Sequence, residues 1–140
     1  MTLNPISQAT GTANLVEWAK LALEDPKAPV VRVTRVRHDE RFGVLLEGIV
    51  LSLGHFPGLT HGDAVPDIVE LAQRFGLSIG RARERISFVQ APRDVARRLG
   101  ISARTSVVKL DRIIETIDAE PVEWRVAYAW KPSWSIASAP

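Results

Sequence analysis

The chain reads as an α+β fold, an antiparallel sheet built from two duplicated helix-hairpin halves with helices packed around it. Three observations carry this reading. Apolar residues switch between helical and alternating periods in the order helix, two strands, helix, strand, helix, two strands. The stretch Val30-Val31-Arg32-Val33-Thr34-Arg35-Val36 returns 77 positions later as Val107-Val108-Lys109-Leu110-Asp111-Arg112-Ile113, with six of the seven pairs identical or conservative. The flanks repeat as well. Glu17, Ala19 and Lys20 match Asp94, Ala96 and Arg97, and each copy then passes a polar turn into a second apolar strand, Val44 to Leu53 and Val122 to Trp130. Consecutive hairpins imply antiparallel pairing, and helices with one apolar stripe imply coverage of one side of the sheet. A duplicated module commonly places a ligand site where its copies meet.

Each element has its own signal. Residues 1–13 read as a flexible leader, because Met1 to Gly11 carries neither apolar periodicity nor the basic-then-apolar start of a secretory signal. Leu15, Trp18, Ala19 and Ala22 form the stripe of a first helix, with Asn14 as N-cap and Glu17 in the capping-box position. Pro26 and Pro29 stop it. Residues 30–38 and 44–53 alternate as two strands around the turn His38 to Gly43, and the turn-forming run Gly54 to Ala64 is a loop. Pro66 suits a first helical turn, with the stripe Ile68, Leu71, Ala72 and Phe75 after it, ending at Gly76. Residues 84–90 are a strand. Pro92 opens a third helix with Val95, Ala96 and Leu99 on one face and Gly100 as its stop. Residues 106–117 and 121–131 form the last hairpin, turned by Asp118-Ala119-Glu120, and Ser135 to Pro140 is a tail. The single domain spans residues 14–134.

Composition excludes several classes. Of the 140 residues 46% are hydrophobic and 24% charged, an ordinary balance for a globular chain. The absence of cysteine removes disulfides, thiolate metal sites and a cysteine nucleophile, and it fits a reducing, cytoplasmic setting. The longest apolar run, Val44 to Leu53, is interrupted by Glu47 and Gly48 and falls short of the ~18 residues of a membrane span. A formal charge of +2 makes no case for nucleic acid. His38, His55 and His61 lack metal-ligand spacing, and there is no nucleophile elbow or phosphate loop, so neither a metal nor a cofactor is expected.

The informative anomalies are charges on apolar strand faces. Alternation puts Val31, Val33, Arg35 and Arg37 on one face, and Val108, Leu110, Arg112 and Ile114 on the matching face of the second copy. Either each strand end emerges into water, where guanidiniums snorkel, or the face opens on a cavity where paired guanidiniums grip an anion. The planar fork of arginine suits carboxylate or phosphate. Glu47 shares a face with Leu45, Ile49, Leu51 and Leu53; an unpaired buried carboxylate costs several kcal/mol, so Arg35 or Arg37 should be its partner. Glu123 occupies nearly the same place in the second copy, one residue out of register. Its face holds Arg125, Ala127 and Ala129 and could floor a pocket. The opposite face, with Val122, Trp124, Val126, Tyr128 and Trp130, is core in character, although Tyr128 could present its hydroxyl to a ligand.

Taken with their order and spacing, several motifs resemble the UTRA domain, the effector-binding half of GntR-type transcription regulators of the HutC subfamily. They are Val33-Thr34-Arg35-Val36-Arg37 with Glu47 ten residues on, Phe56-Pro57-Gly58-Leu59, Arg74-Phe75-Gly76-Leu77, Ala96-Arg97-Arg98-Leu99-Gly100-Ile101, and the final hairpin with Glu120-Pro121-Val122-Glu123. The likeness covers about residues 15–134. It implies a chorismate-lyase-like fold with helices around a small-molecule cleft, and an effector site lined by Arg35, Arg37, Glu47, Glu123 and Tyr128. There are two departures. Val65-Pro66-Asp67-Ile68 stands where sugar-phosphate-sensing members offer a serine and a tyrosine, which argues against a phosphosugar. A DNA-binding winged helix has no room ahead of residue 15.

The chain is therefore expected to sense a small, anionic effector as a free-standing or truncated domain, to form a homodimer, and to reach DNA only through a separate or missing domain. Two rival readings stand beside this one. An enzyme of the chorismate-lyase type would eliminate pyruvate from chorismate without a cofactor. Direct DNA binding would use helix-turn-helix-like segments at Leu71 to Ser78 or Val95 to Ser102.

Overall fold

A computed structural model describes residues 4–59 and 65–137. Its elements are β1 (Asn4–Thr12), α1 (Leu15–Lys20), β2 (Pro29–Asp39), β3 (Gly43–Ser52), α2 (Ile68–Arg74), β4 (Ile79–Gln90), α3 (Arg93–Leu99), β5 (Ser106–Thr116), β6 (Pro121–Trp130) and α4 (Pro132–Ala137). The six strands make one antiparallel sheet in the order β1-β2-β3-β6-β5-β4. That order is a palindrome of the duplication. The unit β1-α1-β2-β3 runs inward from one edge, β4-α3-β5-β6 runs inward from the other, and the copies meet at the β3–β6 seam. Helix α3 packs on β3 and α1 on β6, so each half lays its helix across the seam onto the other.

The expected flexible leader is instead largely a strand. Residues 4–12 form edge strand β1, paired antiparallel with β2 from Asn4 opposite Val36 to Thr12 opposite Pro29. The strand is short of large apolar residues, its side chains from Ser7 to Thr12 lie exposed or partly exposed, and ladder hydrogen bonds to β2 hold it in place. β1 is the missing counterpart of β4, which itself begins at Ile79, five residues ahead of the expected start. Between Gly80 and Ile86 the β4 side chains are exposed, so that segment shows no apolar period. At the other end, α4 runs across the expected tail boundary to Ala137. Residues 1–3, 60–64 (including His61) and 138–140 lie outside the described residues.

Helix α1 also departs from its predicted stripe. The capping box is present, with Glu17 N–H donating to Asn14 Oδ1 at 2.8 Å and Asn14 N–H to Glu17 Oε1 at 2.9 Å. The buried side chains, however, are Glu17 and Leu21, whereas Leu15 is 72% exposed and Trp18 38%. Arg32 on the sheet decides the rotation. Its Nε and Nη2 donate to Glu17 at 2.8 and 2.6 Å and pull the polar residue inward. In α2 the predicted stripe holds: Ile68, Leu71 and Ala72 are buried, and Phe75 meets Phe56 edge-on at 5.4 Å. Its N-cap is Asp67, one residue beyond the proline expected in the first turn. α3 ends, as read, on Gly100 in the left-handed conformation at φ 70°.

Helices cover both sides of the sheet rather than one. Strands β2, β3 and β5 bury apolar side chains at consecutive positions, such as Val30 with Val31 and Val107 with Val108, so each face demands a cover. α1 and α3 lie on one face, over Val30, Val50 and Trp124 and over Val107, Tyr128 and Trp130. α2 covers one end of the other face, over Val31, Val33, Ile49, Leu51 and Ile114. Trp134 of α4 and Phe42 cover its opposite end, over Leu45, Val108, Leu110, Ala127 and Ala129. Among the described residues no helix is long and apolar enough to cross a membrane.

Candidate functional site

Between the two apolar clusters of the α2 face runs a band of charge. β2 contributes Arg35 and Arg37, two residues apart and hence on one face; β3 contributes Glu47, directly opposite Arg35. Glu47 is fully buried, and both guanidiniums donate to the same oxygen, Arg35 Nε to Oε1 at 3.0 Å and Arg37 Nε to Oε1 at 2.8 Å. Both arginines expected as candidate partners are therefore partners. Arg35 Nη1 also donates to the Val65 carbonyl at 2.9 Å, which ties the start of α2 to the sheet.

The second half supplies the rest of the band. Arg125 Nη2 lies 2.6 Å from Glu47 Oε2, a close ion pair that does not meet hydrogen-bond alignment. Arg112 Nη2 donates to Glu123 Oε1 at 2.7 Å. Four guanidiniums and two carboxylates thus share the centre of the sheet, on the seam between the copies. Burial pushes the Glu47 carboxyl up, but Arg125, Arg37 and Arg35 together hold it below the usual carboxylate range. Arg125 moves the opposite way to most paired arginines. Burial lowers its proton affinity, and the nearby Arg112 and Arg37 add to that against the pull of Glu47 and Glu123.

Of the residues singled out from sequence, Arg35, Arg37, Glu47 and Glu123 come together on this face. Glu123 is not the counterpart of Glu47, however. A register shift between Ile114 and Glu115 displaces β6 by one residue, so that Glu123 faces Ile114 and Arg125 stands opposite Arg112, in the place Glu47 takes opposite Arg35. Arg112 and Arg125 are the members that sequence reasoning left out of the site; the repeat itself, aligned with one bulge, points to both. Tyr128 does not join them. It pairs with Leu46 and Lys109 on the opposite face and lines a cleft of about 250 Å³ there, walled by Asp94 and Arg98 of α3, Thr34 of β2 and the Leu46–Gly48 stretch of β3. Burial, then Asp94 and Asp111, push its phenol up.

The helix-turn-helix reading fails because neither candidate turn leads into a second helix. After Ser78 the chain enters β4, and after Ser102 it reaches β5 by way of a turn, so neither segment continues into a recognition helix.

A family model for the UTRA domain matches residues 7–129. The chain belongs to the UTRA domain family. Solved structures agree on the fold. The ligand-binding domain of a GntR-family transcriptional regulator from Bordetella bronchiseptica superposes with a TM-score of 0.81 at 23% identity, covering 94% of this chain and 85% of that one. A GntR-family regulator from Enterococcus faecalis V583 gives 0.80 at 19% identity, covering 91% and 92%. PhnF from Mycobacterium smegmatis gives 0.77 at 26% identity over 91% of this chain, which spans 56% of PhnF. No curated protein matches the sequence significantly. As a UTRA domain, the chain is a ligand-sensing domain of a transcription regulator.

Proposed function

We propose that this UTRA domain senses a small anionic metabolite gripped by Arg35 and Arg37, with Glu47 and Glu123 orienting the guanidiniums and accepting from ligand hydroxyls. The observation that carries the reading is the concentration of buried cation on the seam, where, among the described residues, arginines outnumber carboxylates in the middle of an apolar face. Guanidiniums held by a fully buried carboxylate are fixed before a ligand arrives, so little side-chain entropy remains to be lost on binding. Arg35 also holds the Val65 carbonyl, which gives a ligand at this site a mechanical link to α2.

The arginine pair with a glutamate after it supports placement in the HutC subfamily, acting in the cytoplasm. A homodimer fits the open edge strand β4, where Ile86 is 56% and Phe88 81% exposed; sedimentation velocity tests it. The effector reading is tested by a thermal-shift screen of acidic metabolites. A compound present at 100 times its Kd stabilises the domain by about 2.7 kcal/mol. That gain should vanish in Arg37→Ala. A ligand whose effect survives Arg37→Ala, or a screen in which only neutral or cationic compounds bind, refutes the reading.

A further inference from the structure

We propose that Arg112 and Arg125 form a second anion subsite, so that the effector is a small molecule with two anionic groups, one on Arg35 and Arg37 and the other on Arg112 and Arg125. The inference deepens the effector reading above and rests on it.

Strand register sets the two halves apart. In the first half Arg35 stands directly opposite Glu47, an attractive cross-strand pair. In the second half the equivalent positions hold Arg112 opposite Arg125. Like charges directly opposed across a ladder are destabilising, and both side chains are largely withdrawn from water, 22% and 13% exposed. The neighbouring carboxylates do not cancel them. Glu123 takes Arg112, and Glu47 reaches Arg125 while already holding Arg35 and Arg37. Glu84 on the edge strand is opposite Arg112 by register, yet it is exposed and the Arg112 ion pair goes to Glu123. Among the described residues, the opposed pair thus has Glu123 and only one oxygen of a Glu47 already committed to the first half.

The second observation is an open donor. Arg112 Nε is buried with no hydrogen-bond partner, a donor whose desolvation is uncompensated unless something accepts from it. Protein groups around it have not satisfied it; beside it, burial foremost lowers the proton affinity of Arg125, with Arg112 and Arg37 adding to that. An oxyanion between the opposed guanidiniums would accept from Arg112 Nε and relieve the repulsion together. Because Arg35 and Arg37 stand on β2 and Arg112 and Arg125 on β5 and β6, the two subsites lie on opposite sides of the seam and call for one ligand with an anion at each end.

The test uses the whole chain and titrates glutarate and phosphoglycolate, each with two anionic groups and called dianions for brevity, beside butyrate and valerate as monoanions, at matched ionic strength, by calorimetry. Wild type should bind the dianions more tightly. Arg112→Gln and Arg125→Gln should each weaken dianion binding by about tenfold or more, and Arg112→Gln, which does not touch Glu47, should change monoanion binding less than about twofold. Arg112→Gln is the safer variant for folding, since Arg125 also neutralises Glu47. A glutarate preference over phosphoglycolate identifies a dicarboxylate, the reverse a phosphorylated acid. Dianions and monoanions binding wild type equally, dianion affinity unchanged in both variants, or no binding by any probe would overturn the subsite. If Arg37→Gln leaves all binding intact while Arg112→Gln abolishes the dianion preference, the second subsite stands and the assignment of Arg35 and Arg37 fails instead.

Discussion

Replacing Glu47 with glutamine tests the organisation of the site without ligand. The substitution keeps side-chain shape, so no cavity term enters, and it removes one charge from a position with no solvent exposure. Three guanidiniums within 3.0 Å of that carboxylate then face a neutral amide. Breaking a buried pair by neutralising one partner costs about 3–5 kcal/mol, because the remaining charge is stranded. Set against a typical total of about 5–15 kcal/mol, that loss leaves the fold marginal. At the specific entropies of globular chains, a domain of this length loses about 3 °C in Tm per kcal/mol, so Glu47→Gln should melt roughly 10–15 °C below wild type. Urea denaturation gives the free energy directly, and a Tm within about 2 °C of wild type would refute the claim that Glu47 holds the band together.

The pH dependence of the same pair of proteins checks the sign. The folded-state pKa of Glu47 lies below its unfolded value, so its contribution is fully present above the unfolded pKa near 4.3 and is lost as pH falls through the folded pKa. The gap between wild type and Glu47→Gln should therefore be constant at neutral pH and narrow under acid. Adding Arg125→Gln to Glu47→Gln should recover part of the loss, since it removes one stranded charge; a double variant weaker than the sum of the singles would contradict the coupling.

Separate parts of the fold supply further expectations. Gly43→Ala should cost more than Gly100→Ala, although both glycines have positive φ. A Cβ on Gly43 runs into the Trp130 carbonyl and, at 2.6 Å, Lys131 Cγ, whereas one on Gly100 meets nothing, so urea midpoints should show about 1 kcal/mol at Gly100 and clearly more at Gly43. Glu17→Ala removes the carboxylate arm of the α1 capping box, leaving the backbone N–H of residue 17 on Asn14, and also removes the partner of half-exposed Arg32, for a loss of about 1–2 kcal/mol by the same assay. Tyr128→Phe should leave anion affinity unchanged in calorimetry, because Tyr128 faces away from the arginine band; a loss would place it back in the effector site.

What could be read from the sequence depended on whether the physical signal was local. Arg35 and Glu47 stood out because each breaks a period-two apolar pattern, and the structure gives them the partners that burial demands. The α2 stripe was legible for the same reason. β1 was not, because its residues Asn4–Thr12 include few large apolar side chains and its stability comes from pairing with β2, a contact between positions far apart in the chain. The rotation of α1 was hidden too, being set by the reach of Arg32 to Glu17 from a strand the helix pattern does not contain.

The harder loss was Arg125. It was visible on a strand face that looked merely small and polar, and one bulged residue near Glu115 displaced it by a position from the place of Glu47. Corrected for that bulge, the duplication stops being a record of ancestry and becomes a comparison of two sites on one scaffold. The two halves kept the arginine at Arg35 and Arg112 but put opposite charges across from it, Glu47 in one and Arg125 in the other. The first half sets a carboxylate against its arginine and can be rigid without a ligand. The second half sets two like charges across from each other and leaves Arg112 Nε unmet. A duplicated fold can thus hold a satisfied cross-strand pair and an unsatisfied one on a single scaffold by substituting a residue on one copy alone.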